Sequence, residues 1–174
     1  MTAASGIVAG ARILASAGRD VYPQAAIKTV DQSDPFSQPP ALAADQELHL
    51  AVAASSAYLF CCYLNYEGDD DTRPDGGIAY EWTVPSGATM RYTTIGRTFG
   101  GGSQVHTTQQ EATSYHLGST GSGTLMAALM TGTLVTGTAS GTLQLTWSAF
   151  EWVNLRPETI VHAQSFVALW QLSP

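Results

Sequence analysis

From Asp45 onward, apolar residues return at every second position. Leu48, Leu50, Val52 and Ala54 alternate with His49, Ala51, Ala53 and Ser55, a period that gives a pleated strand one apolar face. After Ser55-Ser56 the run Ala57 to Tyr66 is apolar at both parities and rich in aromatics, which predicts a central strand covered on both sides. Ile78, Tyr80, Trp82 and Val84 alternate up to the turn Pro85-Ser86-Gly87, and Ala88 to Ile95 supplies another strand. Thr124 to Thr136 predicts a long strand and Gly137 to Ser140 a reversal. Leu143, Leu145 and Trp147 then alternate with Gln144, Thr146 and Ser148, so the two strands are expected to pair as a hairpin. The last stretch, Thr159 to Leu172, carries Ile160, Phe166, Trp170 and Leu172 on one face and Val161, Val167 and Leu169 on the other.

The first 43 residues have a different texture. Ala and Gly dominate up to Gly18, and Tyr22-Pro23, Asp34-Pro35 and Pro39-Pro40 interrupt any regular element. An extended arm over 1–43 is the natural reading, followed by one β-domain over 44–174. The arm is too apolar for an inert linker: Ile13, Val21, Tyr22, Ile27 and Phe36 are the residues expected to dock it, in cis or on a neighbour. Strands at short intervals with turn signals between them fit an all-β, antiparallel two-sheet sandwich of jelly-roll type. The triplet Gly-Thr-Leu recurs at Gly123, Gly132 and Gly141, but a calcium-binding solenoid would need Asp in each repeat and no Asp follows Asp75; the spacing reads as hairpin geometry.

Composition sharpens this picture. The 174 residues include 14 acidic and 7 basic side chains, a formal charge of −7, yet only 12% of the chain is charged, about half the usual share of roughly 25%. With so few Lys and Arg, contact with a phosphate backbone or an anionic bilayer is excluded as a main role. Helix exteriors need Lys, Glu, Arg and Gln, whereas Thr, Tyr, Trp and Val suit strands. So little charge also implies that much of the surface meets partners. Cys61 and Cys62 are neighbours and point to opposite faces of a strand, so they read as two small hydrophobes that do not bond to each other. Arg12 and Arg19 interrupt the apolar start, so no signal peptide is expected, and no run of about 18 apolar residues suggests a membrane helix.

Candidate chemistry is sparse. Five of the 14 acidic residues fall between Glu67 and Asp75. Asp69, Asp71 and Asp75 are the calcium ligands if that loop binds a cation, but no glutamate closes it and it reads first as a solvated turn. His49, His106, His116 and His162 are scattered; His106 and His116 flank a possible hairpin without a third ligand beside them. The Ser-Gly run from Gly118 to Gly123 lacks the strand-to-helix setting of a nucleophile elbow. Glu81, Glu111 and Glu151 lie in separate segments, not as a facing pair. An enzyme is not expected, nor is a cofactor. Phe99 and Trp152, on loops, are the residues able to stack on a sugar ring, which keeps recognition of cell-surface glycans as the alternative.

Several segments together resemble a family of structural proteins from phages of actinobacteria. They are Lys28-Thr29-x-Asp31-Gln32-Ser33, Leu42-x-x-Asp45-x-x-Leu48-x-Leu50-x-Val52, Tyr58-x-Phe60 with Leu64-x-Tyr66, Trp82-Thr83-x-Pro85-x-Gly87-Ala88, Gly141-Thr142-Leu143-x-Leu145-x-Trp147 and Ser165-x-x-x-Leu169. Ser148-Ala149 and Gln171 depart from that pattern at strand ends. The resemblance implies an N-terminal arm on the virion and a projecting β-sandwich, often trimeric, and brings no catalytic residue. The expectation is therefore a virion protein, a capsid decoration, spike or fibre-like component, with itself and other capsid, neck or tail proteins as partners. Phe60, Cys62, Phe166, Trp170 and Leu172 are the expected oligomer interface.

Overall fold

The computed structural model describes residues 23–34, 41–68, 77–98, 103–121, 123–150 and 159–173. The expected ligands Asp69, Asp71 and Asp75, the glycan candidates Phe99 and Trp152, and the arm residues Ile13, Val21, Tyr22 and Phe36 lie outside them.

The described chain is all-β and antiparallel. Its strands are β1 (Gln24–Ile27), β2 (Gln32–Ser33), β3 (Ala43–Val52), β4 (Ala57–Glu67), β5 (Ile78–Thr83), β6 (Thr89–Arg97), β7 (Ser103–Gln110), β8 (Tyr115–Leu117), β9 (Met126–Val135), β10 (Gly141–Ala149), β11 (Ile160–Val161) and β12 (Phe166–Ser173). One sheet runs β1-β12-β4-β9-β6-β7, with β11 joining β4 to β2; the other runs β3-β10-β5-β8. From β3 to β10 the pairs are nested: β3 with β10, β4 with β9, β5 with β8 and β6 with β7. A long hairpin centred on the β6–β7 pair and rolled into two sheets gives this order, which is the winding of a jelly roll.

That nesting overturns the expected hairpin of β9 with β10. Thr136 donates its N–H to Ser56 O at 2.8 Å, and Ser55 donates to Gly137 O at 2.7 Å, so the chain crosses between sheets where a reversal was expected. β9 then pairs β4 and β6, while β10 pairs β3 and β5. β7 and β8 are likewise in different sheets, so His106 and His116 do not face each other across a hairpin.

The core lies between the sheets and follows the alternation. Leu48, Leu50, Val52, Trp82, Leu143, Leu145 and Trp147 from one sheet meet Phe60, Cys62, Leu64, Met90, Met130, Val167 and Leu169 from the other. A fully buried side chain of this size contributes about 1.5–3 kcal/mol relative to exposure. Phe60 meets Trp82 edge-on with centroids 5.0 Å apart and Tyr92 at 6.0 Å. Gly132 lies opposite both Phe60 and Tyr92 in the ladder, and a Cβ there would sit 2.1 Å from Arg91 O and 2.6 Å from Tyr92 Cα. Only glycine leaves room there for the neighbouring β6 backbone.

Three expectations change. Phe60 and Cys62 are buried in the chain's own core, at 2% and 0% exposure, so they cannot form an interface with another copy. The outward parity of β4 belongs to Leu59, Cys61 and Tyr63 instead, and Leu59 is 45% exposed, so this strand is not covered on both sides within the chain. The 43/44 boundary also falls inside β3, and residues 24–33 are strands of the body: Gln24 to Ile27 pair with β12, Gln32 and Ser33 with β11.

Candidate functional site

The densest polar structure is the clamp that fastens residues 23–34 to the sandwich. It starts from an irregularity in β3. Gln144 pairs with His49 and Thr146 with Ala44, so several β3 residues bulge opposite one residue of β10. The bulge turns Asp45 inward. Its Oδ1 accepts the N–H groups of Glu47 and Leu48, each at 2.9 Å, which satisfies donors the bulge took from the ladder. Gln144 Nε2 donates to the Asp45 carbonyl at 2.8 Å from the partner strand.

Lys28, one residue past the end of β1, completes the site. Its backbone N–H donates to Ser165 O and its carbonyl accepts from Gln164 N, both at 2.8 Å, which extends the ladder with the β12 side of the sheet. The ammonium is thereby carried inside, where Nζ donates to Asp45 Oδ1 at 3.0 Å, to Asp45 Oδ2 at 2.9 Å and to Gln32 Oε1 at 3.1 Å. Trp147 Nε1 donates to Asp45 Oδ2 at 3.0 Å. Both charged side chains are wholly buried. Burying an ion pair costs several kcal/mol per ion unless the remaining lone pairs and protons are satisfied. Here each ammonium proton has an acceptor, and the carboxylate collects donors from Lys28, Trp147 and two backbone amides. Groups so fully engaged hold the chain in place.

Around this centre the segment is stitched at further points. Thr29 N and Oγ1 and Val30 N all donate to the Glu47 carboxylate, and the Thr29 hydroxyl leads in holding that carboxyl below its ordinary pKa. Ala163 N donates to Asp31 Oδ1 at 2.7 Å, the main cause of the lowered pKa of Asp31. His162 lies between two carboxylates, Nδ1 3.4 Å from Asp31 and Nε2 3.5 Å from Glu67, and pairs with them when protonated. Asp34 accepts from Ala149 N at 2.6 Å, and its own N–H donates to Thr159 O at 3.0 Å. The segment therefore bonds to both sheets.

Of the expected interface residues, Phe166, Trp170 and Leu172 do take the outward parity of β12, opposite the buried Val167 and Leu169. Ile27, placed in the attachment set, is 61% exposed on β1. Lys28 and Asp45 stand in separate sequence motifs with no spacing that marks them as a pair. The available signal was charge inside an apolar strand: Asp45 precedes an alternation whose inward positions are all even.

The other histidines are dispersed. His49 is exposed, and His116 rests 4.0 Å from the Phe150 ring, where burial lowers its pKa. Among the described residues no group of three His, Cys, Asp or Glu side chains could hold a metal ion. No helix there is long and apolar enough to cross a membrane.

No family model matches the chain, and no curated protein does. Among solved structures it is similar to a structure of infectious bursal disease virus, Gx strain, with 14% identity and a TM-score of 0.23, over 86% of this chain and 40% of that one. A second likeness is to the T13 particle of the same virus, with 15% identity and a TM-score of 0.24, over 87% of this chain and 40% of that one. The chain thus spans about two fifths of either, and at such TM-scores a likeness bears on neither fold nor function.

Proposed function

We propose that this chain is a structural component of a bacteriophage virion, joined to the particle through the residues ahead of Pro23 and assembling with copies of itself. The observation that carries the reading is the clamp. A buried Lys28–Asp45 pair, two added strands and the Asp31, Asp34 and Glu47 contacts fix the start of the described chain to both sheets. A segment so held suits a protein whose preceding residues make an attachment. The sequence resemblance to structural proteins of actinobacterial phages supports the same role, and jelly rolls are common in virion proteins, though lectins and cupins share them. The role is one of binding and shape, and decoration, spike and fibre-like positions all fit it.

The experiment is deletion of residues 1–22 in the phage that encodes the chain. The truncated protein is expected to fold with an unchanged unfolding midpoint and to be missing from purified particles. Incorporation at the full level overturns the attachment role.

A further inference from the structure

The outer faces of the two sheets differ in kind. On the four-stranded sheet, Gln46, His49, Glu81, Thr142, Gln144 and Thr146 point outward, a polar surface. On the larger sheet the ladder aligns Ile27 with Phe166, Phe166 with Tyr63, Tyr63 with Leu129, and Leu129 with Ile95. These five side chains make one unbroken apolar row across five strands. Ile27, Ile95 and Leu129 are 61%, 49% and 37% exposed, and Tyr63 stacks on Phe166 with centroids 6.1 Å apart. The next row reads Ala25, Ala168, Cys61, Thr131 and Thr93, and the one beyond it Trp170, Leu59, Thr133 and Arg91. Among the side chains of these three rows only Arg91 is charged, and Glu111 pairs with it at 3.1 Å.

We infer that this face pairs with the same face of a second copy of the chain. Three observations select that occupant. The molecule carries a net −7, so identical copies repel except where they meet through a neutral surface, and these rows provide one. The row is also symmetric about β4. A twofold axis running along β4 in the contact plane sets Ile27 of one copy against Ile95 of the other, Phe166 against Leu129, and Tyr63 against Tyr63, as an isologous contact requires. Finally, five strands at about 4.8 Å and three rows at about 6.8 Å define a face about 24 by 20 Å, so two copies cover on the order of 1,000 Å², the lower bound for a specific interface. A threefold ring would need two different complementary patches, whereas this face is one patch. The pairing deepens the structural reading above and rests on it for the crowding that copies meet on a particle.

The full-length chain in solution tests this by light scattering and by the rate at which Cys61, in the row beside Tyr63, reacts with a maleimide. The expected result at micromolar concentration is twice the chain mass, with Cys61 labelling slowing several-fold as concentration rises. Leu129→Glu is expected to give the single-chain mass, at least tenfold weaker pairing, concentration-independent labelling and an unchanged unfolding midpoint. Ile95→Glu serves if that variant fails to fold, and His49→Glu on the polar face is expected to remain paired. A monomeric wild-type chain, a threefold mass, or a folded Leu129→Glu or Ile95→Glu that stays paired overturns the inference. Particle incorporation is scored separately: a monomer that still enters particles refutes the pairing and spares the virion role, and a dimer absent from particles does the reverse.

Discussion

Replacing Lys28 by Met keeps the apolar stem and removes the ammonium, leaving Asp45 as a buried carboxylate. Removing one partner of a buried pair costs about 3–5 kcal/mol, because the other charge is left uncompensated. Trp147 Nε1 and the amides of Glu47 and Leu48 still donate to Asp45, so the lower end applies, about 3 kcal/mol. For a chain of this length each kcal/mol shifts the thermal midpoint by about 2–4 °C, and the expected drop is about 6–12 °C. Urea unfolding with an unchanged slope would assign the loss to the folded state. Adding Asp45→Asn and the double variant closes a thermodynamic cycle, whose coupling should be a large fraction of the single losses. Hydrogen exchange at Lys28 N and Gln164 N, which join the segment to the loop before β12, should accelerate more than exchange in β5. A loss under about 1 kcal/mol, the size expected of a solvent-exposed pair, would refute the claim that this contact fastens the segment.

Other outcomes follow from single contacts. Gly132→Ala drives a methyl group into Arg91 O and Tyr92 and should cost about 1–3 kcal/mol by urea titration, while Gly87→Ala, with open space at its Cβ but a φ of +74°, should cost less. The depressed pKa values of Asp31 and Glu47 mean that the unfolded chain binds more protons, so their contribution is full above the ordinary carboxylate range near pH 4 and is lost as pH falls below it. Stability measured between pH 6 and 3 should decline, and Thr29→Val should flatten that decline. Of the two thiols, Cys62 is fully buried and burial pushes both upward, so a thiol reagent at neutral pH should titrate at most Cys61 until the chain is denatured.

The alternation at Leu48 to Val52, Ile78 to Trp82 and Leu143 to Trp147 was enough to read the strands and their inward faces, because a period of two leaves little choice once one side is buried. Partner choice was not legible in the same way. β9 and β10 look like a hairpin because they are consecutive, yet Thr136 and Gly137 bond to the Ser55-Ser56 turn and send the two strands to opposite sheets. The run Ala57 to Tyr66 is apolar at both parities, which concealed that Phe60 and Cys62 face the chain's own core while Leu59, Cys61 and Tyr63 face out. The clamp was hidden for a further reason. A bulge shifts parity, so nothing in the spacing of Lys28 and Asp45 announces that 17 residues of separation close to a 2.9 Å contact.

The adjacency of β1 and β12 has a consequence for how the protein is made. The first described strand pairs with the last, so it has no ladder partner while the rest of the chain is being synthesised. At about 5–20 residues per second that interval lasts on the order of ten seconds or more. The β6–β7 pair, whose partners are near in sequence, can form early, and the nested pairs can then close outward from it. The backbone bonds of Lys28 to Gln164 and Ser165 can form only once those residues have been made. The anchorage of residues 23–34 on the sandwich is thus a late event, which follows the synthesis of β12.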